Sequence, residues 1–521
     1  MIYIFAILSL ILALFLSLYA IRSIIFLLTS KTAIKEYNNY LLYNLHFPTI
    51  KEPSEIMIEN KYHAGINANE TLGNEETYSN RQSFKRKTYA TNNTMITDVK
   101  AYGDFYPFIS ILVATHNESL VIDNLMRSCS ALTYDRSRFE IVIVDDSTDD
   151  TLLLLKQWEH KIPNLKLIHR GERTGWKGGA LNVALKNMNE TSSYALVVDA
   201  DNVLVSDTLE SFVSCFLEQD KKCTYAIQGF PISMINPGDY FSDSGDNNDD
   251  NDDNNNPHRK IRNHRSGWVA DAIDFRLTQR NIVEFLAKDD LNLPIQITGS
   301  LFMIRSEIIK AIGFSNDLTE DWDLTLDLNF SPKMQIYDSN NNCDSDNKRK
   351  KVSFNPLLIS YCEATTKIEE YFKQRMRVSE GHTRGFRKRM WTILTSRIPA
   401  RDKIEFLFSG LHYAKFIAVF ALIIIDILLV LQILWNHDNL QLSNDIIKFS
   451  LITQLSNVSV GIITGVTGLY IFEHIKNYSK RHVFYLLLLN LFTTPAFVAG
   501  SLLGFCRNEG IFYRTKRNIS Y

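Results

Sequence analysis

Short apolar runs alternate with helical patterns in the first half of the chain, and this rhythm constrains the fold more than any other feature. The apolar runs have the length and composition of buried strands, and the segments between them have helical periodicity. The predicted strands are Phe108–Val113, Phe139–Val144, Leu165–Ile168 and the run that begins at Tyr194. The predicted helices are Glu118–Ala131, Thr151–His160 and Gly179–Met188. Strands joined through helices make right-handed crossovers and a parallel sheet that is covered on both faces. The sequence therefore predicts an α/β fold of the kind that binds nucleotides.

Two carboxylates stand at the end of the fourth predicted strand. Asp199 and Asp201 are two positions apart, so strand periodicity would point both to one side and Ala200 to the other. Open parallel sheets bind ligands at the carboxyl ends of their strands. Adjacent carboxylates there repel each other unless a hard cation such as Mg2+ or Mn2+ bridges them. A solvated turn is the alternative interpretation, because Asp is common in turns.

Composition excludes several classes of protein. The chain has 521 residues and a formal net charge of -2, which gives no support for a nucleic-acid partner, since such a partner needs a basic face. Its length suits one large domain or two ordinary ones. The six cysteines form no C-x-x-C pair and no metal-ligand spacing, which argues against a zinc site or a disulfide framework.

The N-terminal segment is almost uninterruptedly apolar from Ile2 to Leu28. A bilayer core needs about 20 such residues, so we predict a transmembrane anchor over residues 1–28. A signal peptide is the alternative, but the apolar run is too long and lacks a charged start and a small-residue cleavage site. Lys31 and Lys35 follow, and the positive-inside rule therefore places the next section in the cytoplasm.

The sequence becomes apolar again towards the C-terminus. Residues 386–415 mix aromatic and basic side chains, as an amphipathic interfacial segment does. Residues 416–505 contain three runs that are long enough to be transmembrane helices. These runs are Phe416–Trp435, Phe449–Phe472 and Val483–Phe505. An anchor plus three spans would place the basic tail, residues 506–521, outside, against the positive-inside rule. A re-entrant segment broken at Pro495, or one further crossing, would remove this conflict.

Polar stretches precede and interrupt the α/β pattern. Residues 29–106 have the composition of a polar linker, and the α/β domain is predicted over residues 107–385 with loop insertions at 243–256 and 338–351. The first insertion is nearly all Asp and Asn, but it lacks the Gly and the terminal Glu of a calcium-binding EF-hand loop. Both insertions are therefore predicted to be solvated loops.

Two further motifs place polar side chains beside the ends of predicted strands. Asp145 and Asp146 follow the second strand, and a carboxylate there can accept two hydrogen bonds at once. A helix N-cap formed by residues 147–149 is an equally compatible interpretation. Glycines around Lys177 open a predicted helix, which would let the backbone approach a phosphate while the lysine supplies positive charge.

Two more motifs lie nearer the end of the predicted α/β domain. Thr319–Asp323 holds three acids within four residues, which suits a catalytic base and also suits the acidic first turn of a helix. Gln374 and Arg377 stand at positions i and i+3, on one face of a helix. The planar guanidinium of Arg377 could bind two oxygens of a diphosphate at once.

In their order along the chain, these motifs resemble family 2 inverting glycosyltransferases of the GT-A fold, a Rossmann-like nucleotide-diphospho-sugar transferase domain. The resemblance is to the membrane-embedded branch that includes cellulose synthase and related β-glycan synthases, and it extends over residues 107–385. It implies a UDP-sugar donor, a glycan or lipid acceptor, a membrane location, and Mg2+ or Mn2+ as the cofactor.

The resemblance also implies a role for each matching residue. Asp321 would be the catalytic base, with Glu320 as its neighbour. The residues implied to bind the nucleotide-sugar are Asp145, Asp146, Lys177, Asp199, Asp201, Gln374 and Arg377. Of these, Asp199 and Asp201 would be the metal ligands. The residues implied to bind the acceptor are Gln228, Gly299 and Ser300.

We therefore expect an integral, multi-pass protein of the plasma membrane, with a cytoplasmic catalytic domain that transfers a hexose with inversion. Val378 stands where processive members of the family have a Trp that stacks on the acceptor sugar. The choice between a processive β-glycan synthase and a single-transfer synthase of a glycolipid or polyprenyl-phosphate sugar therefore stays open. An inactive membrane scaffold or sugar-binding protein is an alternative that the acids and Arg377 disfavour. A transporter is disfavoured because the apolar segments hold few charges beyond Asp426.

Overall fold

A computed structural model describes residues 2–44, 106–219, 224–234, 267–340, 351–435 and 479–510, with isolated positions between 444 and 455. Several predicted segments lie wholly or mostly outside the described residues. These are the linker 29–106, the insertions 243–256 and 338–351, the run Phe449–Phe472 and the tail after residue 510.

Eight strands form one sheet at the centre of the α/β domain. They are β1 (Ile109–Thr115), β2 (Phe139–Asp145), β3 (Leu165–His169), β4 (Tyr194–Asp199), β5 (Asn202–Leu204), β6 (Ala226–Met234), β7 (Phe302–Arg305) and β8 (Val352–Glu363). Their order across the sheet is β3-β2-β1-β4-β7-β6-β8-β5. The first four in this order are parallel, which confirms the arrangement predicted from the alternation of strands and helices.

The other half of the sheet, for which the sequence analysis predicts no strands, is mixed. β7 runs antiparallel to β4, with Phe302 opposite Val197 and Arg305 opposite Tyr194. Residues 298–301 bring the chain to the carboxyl end of β4, and β7 runs back from there. β6 is antiparallel to β7 and parallel to β8, while β5 is antiparallel to β8.

The helices of the described residues include those that cover both faces of the sheet. They are α1 (Ile2–Asn44), α2 (Ile122–Ser130), α3 (Thr151–Glu159), α4 (Trp176–Asn187), α5 (Thr208–Gln219), α6 (Trp268–Gln279), α7 (Leu286–Asp290), α8 (Ser306–Ile312), α9 (Glu320–Phe330), α10 (Pro332–Asn340), α11 (Ile368–Thr395), α12 (Ala400–Gly410), α13 (Ala414–Trp435) and α14 (Lys480–Cys506). A π-helical segment, Arg280–Phe285, joins α6 to α7. Leu112 and Val142 pack on the face under α4, whereas Ile111 and Ile141 pack on the face under α2 and α5. This alternation is the strand periodicity of two, and coverage on both faces explains why the strands are continuously apolar.

One long helix joins the α/β domain to the apolar C-terminal part. α11 continues through residue 385, where the sequence predicted a domain boundary, and packs along α14. Two glycines of α14 permit this contact. A β-carbon on Gly500 would overlap Ser379 and the carbonyl of Met376, and one on Gly504 would overlap the carbonyl of Glu380. The two helices therefore meet backbone to backbone.

Within the described residues, two helices are long and apolar enough to cross a membrane, α1 through Ile7–Ser30 and α14 through Lys480–Cys506. A third candidate is the pair Ala400–Gly410 and Ala414–Leu428, which together pass the same test but are bent by 62° at the break between them. Large apolar side chains are exposed on these helices, among them Leu14 at 62% and Leu491 at 72%. Exposed apolar faces of this extent indicate contact with lipid or another apolar surface.

Candidate active site

The Asp199–Asp201 segment is a turn between two strands. β4 ends at Asp199 and β5 begins at Asn202, so strand periodicity does not extend to Asp201 and the predicted orientation of the two side chains does not apply. The Ser300 hydroxyl accepts hydrogen bonds from the Asp199 amide at 2.9 Å and from Asn202 Nδ2 at 3.0 Å. Asn202 also donates to Asp201 Oδ1 at 3.3 Å and accepts from Ser360 at 2.6 Å. Asn202 is not among the predicted site residues, although a polar residue at the start of a buried strand could have indicated it.

Lys177 joins three parts of the chain. Its Nζ donates to Asp199 Oδ1 at 2.6 Å and to the carbonyl of Gly299 at 2.6 Å, and it lies 3.2 Å from Glu320 Oε1. Burial lowers the pKa of Lys177, but the carboxylates of Asp199 and Glu320 outweigh burial and hold it above the usual lysine value. The structure thus brings together predicted donor, catalytic and acceptor residues around one permanently charged ammonium group.

The glycines that begin α4 have a different use from the predicted one. Gly175 has a φ of +71° and precedes the helix. A β-carbon on Gly178 would overlap the Ser315 carbonyl, and one on Gly179 would overlap the Thr174 carbonyl. The close approach that these two glycines permit is therefore made by the chain's own backbone, which packs two loops onto the helix, where the sequence had predicted a phosphate.

Asp321 lies in the first turn of α9, next to the loop that contains Gly299. Its Oδ1 accepts from the Trp322 amide at 2.8 Å, and a β-carbon on Gly299 would stand 3.4 Å from Oδ2. Burial raises the pKa of Asp321 and the charge of Glu320 raises it further, while Lys177 lowers it, with a result of about 7. A carboxylate with a pKa near neutrality is suited to accept a proton.

Asp145 and Asp146 are both held within the fold. Asp145 is completely buried, accepts from Thr115 Oγ1 at 2.7 Å and lies 2.8 Å from His169 Nδ1. It therefore ties the carboxyl ends of β1, β2 and β3 together, which differs from the predicted contact with a nucleotide. Asp146 forms a two-pronged ion pair with Arg170, whose Nε lies 2.6 Å from Oδ1 and whose Nη2 donates to Oδ2.

Gln228 and Ser300 shape the loop in front of Asp321, and the direct acceptor contact predicted for them needs correction. Gln228 has no exposed surface. Its Nε2 donates to the carbonyl of Ser300 at 3.0 Å, and its Oε1 accepts from the Thr298 amide at 2.9 Å. Ser300 is 5% exposed and is engaged with the Asp199–Asn202 turn. Both residues position the loop, and Gly299 is the member of the predicted set that faces Asp321.

Gln374 and Arg377 lie half-buried on α11. Burial lowers the pKa of Arg377 while Glu320 and Asp199 raise it, which leaves it at about 10. Arg377 is therefore within electrostatic reach of the acids around Lys177, as the prediction of a diphosphate-binding arginine requires.

The carboxylates of the Asp199–Asp201 turn fit a divalent cation that is shared with a ligand. Within the described residues, no group of three or more His, Cys, Asp or Glu side chains converges as a set of metal ligands. Mg2+ does not require such a set, because it is commonly held by one or two carboxylates together with phosphate oxygens of the substrate. The Asp199 side chain is 41% exposed and can take part in such a shared shell.

The parallel half-sheet, the antiparallel return through β7 and the acids at the strand ends together define an α/β domain of the GT-A class. Residues 110–277 match the family model "Glycosyl transferase family 2". Over these residues the chain is similar to family 2 glycosyltransferases.

Several known proteins are similar to this chain. Beta-monoglucosyldiacylglycerol synthase from Nostoc sp. is 38% identical over 112 residues, which are 21% of this chain and 24% of that protein. Probable glucomannan 4-beta-mannosyltransferase 10 from Arabidopsis thaliana is 30% identical over 113 residues, 20% of each chain. The match thus spans about a quarter or less of the length of these relatives. Among solved structures, mannosyltransferase PcManGT from Pyrobaculum calidifontis, in complex with GDP-Man and Mn2+, superposes with a TM-score of 0.44 at 16% identity, covering 78% of this chain and 89% of that one.

Proposed function

We propose that this chain is a membrane-bound, inverting glycosyltransferase that moves a hexose from a UDP-sugar to a lipid-linked or polysaccharide acceptor. The observation that carries the proposal is the convergence of Lys177, Asp199 and Glu320 beside Asp321, a half-buried carboxylate with a pKa of about 7. A positioned base next to cationic groups is what transfer from a nucleotide diphosphate requires.

Asp321 accepts the proton of the acceptor hydroxyl in the proposed mechanism. The hydroxyl oxygen forms a bond to the anomeric carbon from one face while the bond from that carbon to the diphosphate breaks on the opposite face, which gives inversion. Lys177 and Arg377 offset the charge that grows on the leaving diphosphate. Asp199 and Asp201 would hold Mg2+ or Mn2+, which supplies further neutralisation of that charge.

Two kinds of acceptor are considered, a lipid-linked acceptor and a polysaccharide. One relative is named for synthesis of a glucosyl lipid and another for synthesis of a glucomannan. Val378 stands half-buried on α11 where processive enzymes of the resembling branch have Trp. Because Val offers no aromatic face to stack on a growing chain, we favour a single transfer to a lipid-linked acceptor over processive synthesis.

The apolar helices support a membrane location. α1 and α14 are each long enough to cross a bilayer, and their exposed faces are apolar. We propose a multi-pass protein of the plasma membrane with its catalytic domain on the cytoplasmic side.

The first test is transfer from a panel of labelled UDP- and GDP-sugars by membranes that contain the protein, with Mn2+ or Mg2+ and with chelator. We expect a chelator-sensitive, short, lipid-extractable product. Long chains would overturn the single-transfer proposal, and no nucleotide release from any donor would overturn the enzymatic one in favour of a scaffold.

Replacement of the proposed base gives a second test. Asp321→Asn keeps the shape of the side chain but cannot accept the proton, so we expect transfer to fall by about 10²- to 10⁴-fold with donor binding retained. Asp327→Asn is the matched control on the same helix, because Asp327 pairs with Arg389 and not with the site. Unchanged transfer in the Asp321 variant would exclude it as the base.

A further inference from the structure

Three arginine side chains gather around Tyr371, between the α/β domain and α14. Arg276 lies on α6, Arg280 begins the π-helical segment one turn later, and Arg375 lies on α11. Arg276 Nη1 is 3.4 Å from the Tyr371 hydroxyl, and the Arg375 guanidinium lies 4.8 Å above the Tyr371 ring. Burial raises the pKa of Tyr371, but the charges of Arg375, Arg276 and Arg280 outweigh burial and lower it overall.

Among the described residues, Glu284 and Asp321 are the carboxylates whose charges act on Arg280, and neither forms an ion pair with it. Among the described residues, none of the three arginines has a carboxylate within salt-bridge distance. The Nε atoms of Arg280 and Arg375 are buried and have no hydrogen-bond partner. Like charges held together repel, and a buried donor without a partner is costly. A set of guanidinium groups left in this state is preorganised for an anion with several oxygens, such as a phosphate.

The cluster lies between the proposed base and the apolar helices. On one side, the charge of Asp321 acts on Arg280. On the other side, the Arg276 guanidinium lies 5.3 Å above the ring of Phe497 on α14. The Phe497 ring in turn lies 4.6 Å from the ring of Phe416 on α13. α13 and α14 carry exposed apolar faces, so an anion that reaches the arginines from the membrane side would be attached to an apolar chain.

The proposed partners of the donor diphosphate lie beside this cluster, since the charge of Arg375 also acts on Arg377. Arg377 is influenced by Glu320 and Asp199, and Lys177 contacts both of these acids directly. Arg276 instead lies over the ring of Phe497 on α14 and beside the Tyr371 hydroxyl, while Arg280 lies 5.5 Å from the ring of Phe285 in the π-helical segment. Each set of cations beside the acidic side chains suits one anion. These anions are the diphosphate of the donor and an anionic group of the acceptor.

We infer that Arg276, Arg280 and Arg375 bind the phosphate group of a lipid acceptor, whose apolar chain lies along α13 and α14. The inference rests on the proposed function and narrows its acceptor to a phosphate-bearing lipid. The phosphate is bound and not transformed at this site, and it holds the lipid head next to Asp321. Arginine side chains bind the phosphate of a lipid and free phosphate in the same way. The adjacent apolar helices favour the lipid as the ligand.

The test is a binding measurement that needs no turnover. The full chain in nanodiscs is titrated with a long-chain alkyl phosphate, the alcohol of the same chain length, and inorganic phosphate. We expect the alkyl phosphate to bind at least about tenfold more tightly than either of the others. Arg276→Gln, Arg280→Gln and Arg375→Gln should each weaken alkyl phosphate binding about tenfold and leave alcohol binding unchanged. Arg127→Gln, at an exposed position on α2, is the control and should bind as the native chain does.

Each outcome of this test either supports the phosphate site or overturns it. Equal binding of alkyl phosphate and alcohol, or variants that bind alkyl phosphate as the native chain does, would overturn the site. Inorganic phosphate that binds as tightly as alkyl phosphate would overturn its assignment to a lipid. Nucleotide release from UDP- and GDP-sugars is measured on the same preparations. If nucleotide is released but the alkyl phosphate does not bind, this inference is contradicted and the proposed function stands. If the alkyl phosphate binds but no nucleotide is released, the phosphate site stands and the proposed function is contradicted.

Discussion

Lys177 and Asp321 owe their protonation states to the same few neighbours. Lys177 stays charged because Asp199 and Glu320 contact it. The pKa of Asp321 is raised to about 7 by burial and by the charge of Glu320. A base with a pKa near the working pH combines a useful ionised fraction with enough basicity to take a proton. The arrangement therefore keeps one group cationic for a diphosphate and a second group ready to accept a proton.

The raised pKa of Asp321 predicts the pH dependence of transfer. Asp321 must be ionised to act as the base, and its pKa lies at about 7, so protonation removes activity as the pH falls through neutrality. We expect kcat/KM for transfer to fall about tenfold per pH unit below 7 and to level off above it. The measurement is kcat/KM against pH between about 5 and 9 in buffers of constant ionic strength.

Glu320→Gln should shift this profile. Removing the negative charge of Glu320 removes a cause of the raised Asp321 pKa, so the midpoint of the acidic limb should move to lower pH. Glu190→Gln changes an exposed carboxylate that is far in sequence from Glu320 and Asp321, so it should leave the midpoint unchanged. A midpoint that does not move in the Glu320 variant would exclude Asp321 as the titrating base.

Among the secondary-structure elements, the sequence predicts the strands and helices whose hydrophobic periodicity and crossover connections can be recognised locally. The four parallel strands and the helices between them follow from local patterns, and the structure confirms them. The reversal of β7 does not follow from any local pattern, because it depends on hydrogen bonds between Gln228 and the loop at Thr298 and Ser300, some 70 residues away. The sequence predicts ligand contacts for buried polar side chains such as Asp145 and Gln228 for the same reason, since their partners lie far away in sequence, on other strands for Asp145 and in the loop before β7 for Gln228.

Backbone contact between α11 and α14 leads to a prediction about Gly500. A β-carbon there would overlap Ser379 and the carbonyl of Met376, and only the serine side chain can move aside. Gly500→Ala should therefore push the helices apart and lower the free energy of unfolding by about 1–3 kcal/mol, as overpacking does. Because α11 carries Arg377, we also expect KM for the donor to rise. Thermal unfolding in detergent and donor kinetics measure the two effects.

Gly267→Ala is the control for this prediction. A β-carbon on Gly267 has nothing within 4 Å, and its φ of -66° is ordinary for alanine. This variant should unfold within about 0.5 kcal/mol of the native chain. If Gly500→Ala were equally neutral, the close packing of α11 on α14 would not hold in solution.

For the whole molecule, a buried charge network ties the N-terminal helix to the rest. Arg22 on α1 contacts Glu284 of the π-helical segment at 2.8 Å and Glu405 of α12 at 2.6 Å. Lys288 contacts the same two carboxylates at 3.0 and 2.9 Å. The partners of Arg22 are 262 and 383 residues away in sequence. The sequence could indicate that Ile2–Leu28 is an apolar anchor, but it could not show that its arginine joins the anchor to the catalytic domain.

Arg22→Gln tests whether the anchor and the domain behave as one unit. The substitution leaves Glu284 and Glu405 with only Lys288 as a cationic partner, and breaking a buried ion pair costs about 3–5 kcal/mol. Thermal unfolding of the full chain should therefore shift to lower temperature in Arg22→Gln, and not in the exposed control Arg127→Gln. Addition of Glu405→Gln to Arg22→Gln should cost less than the sum of the two single changes, because the second removes a carboxylate that the first left underpaired. Strict additivity, or an Arg22 variant as stable as the control, would mean that the anchor is only a tether. The coupling predicted here instead makes α1 part of the frame that holds the π-helical segment, and with it Arg280, beside the site.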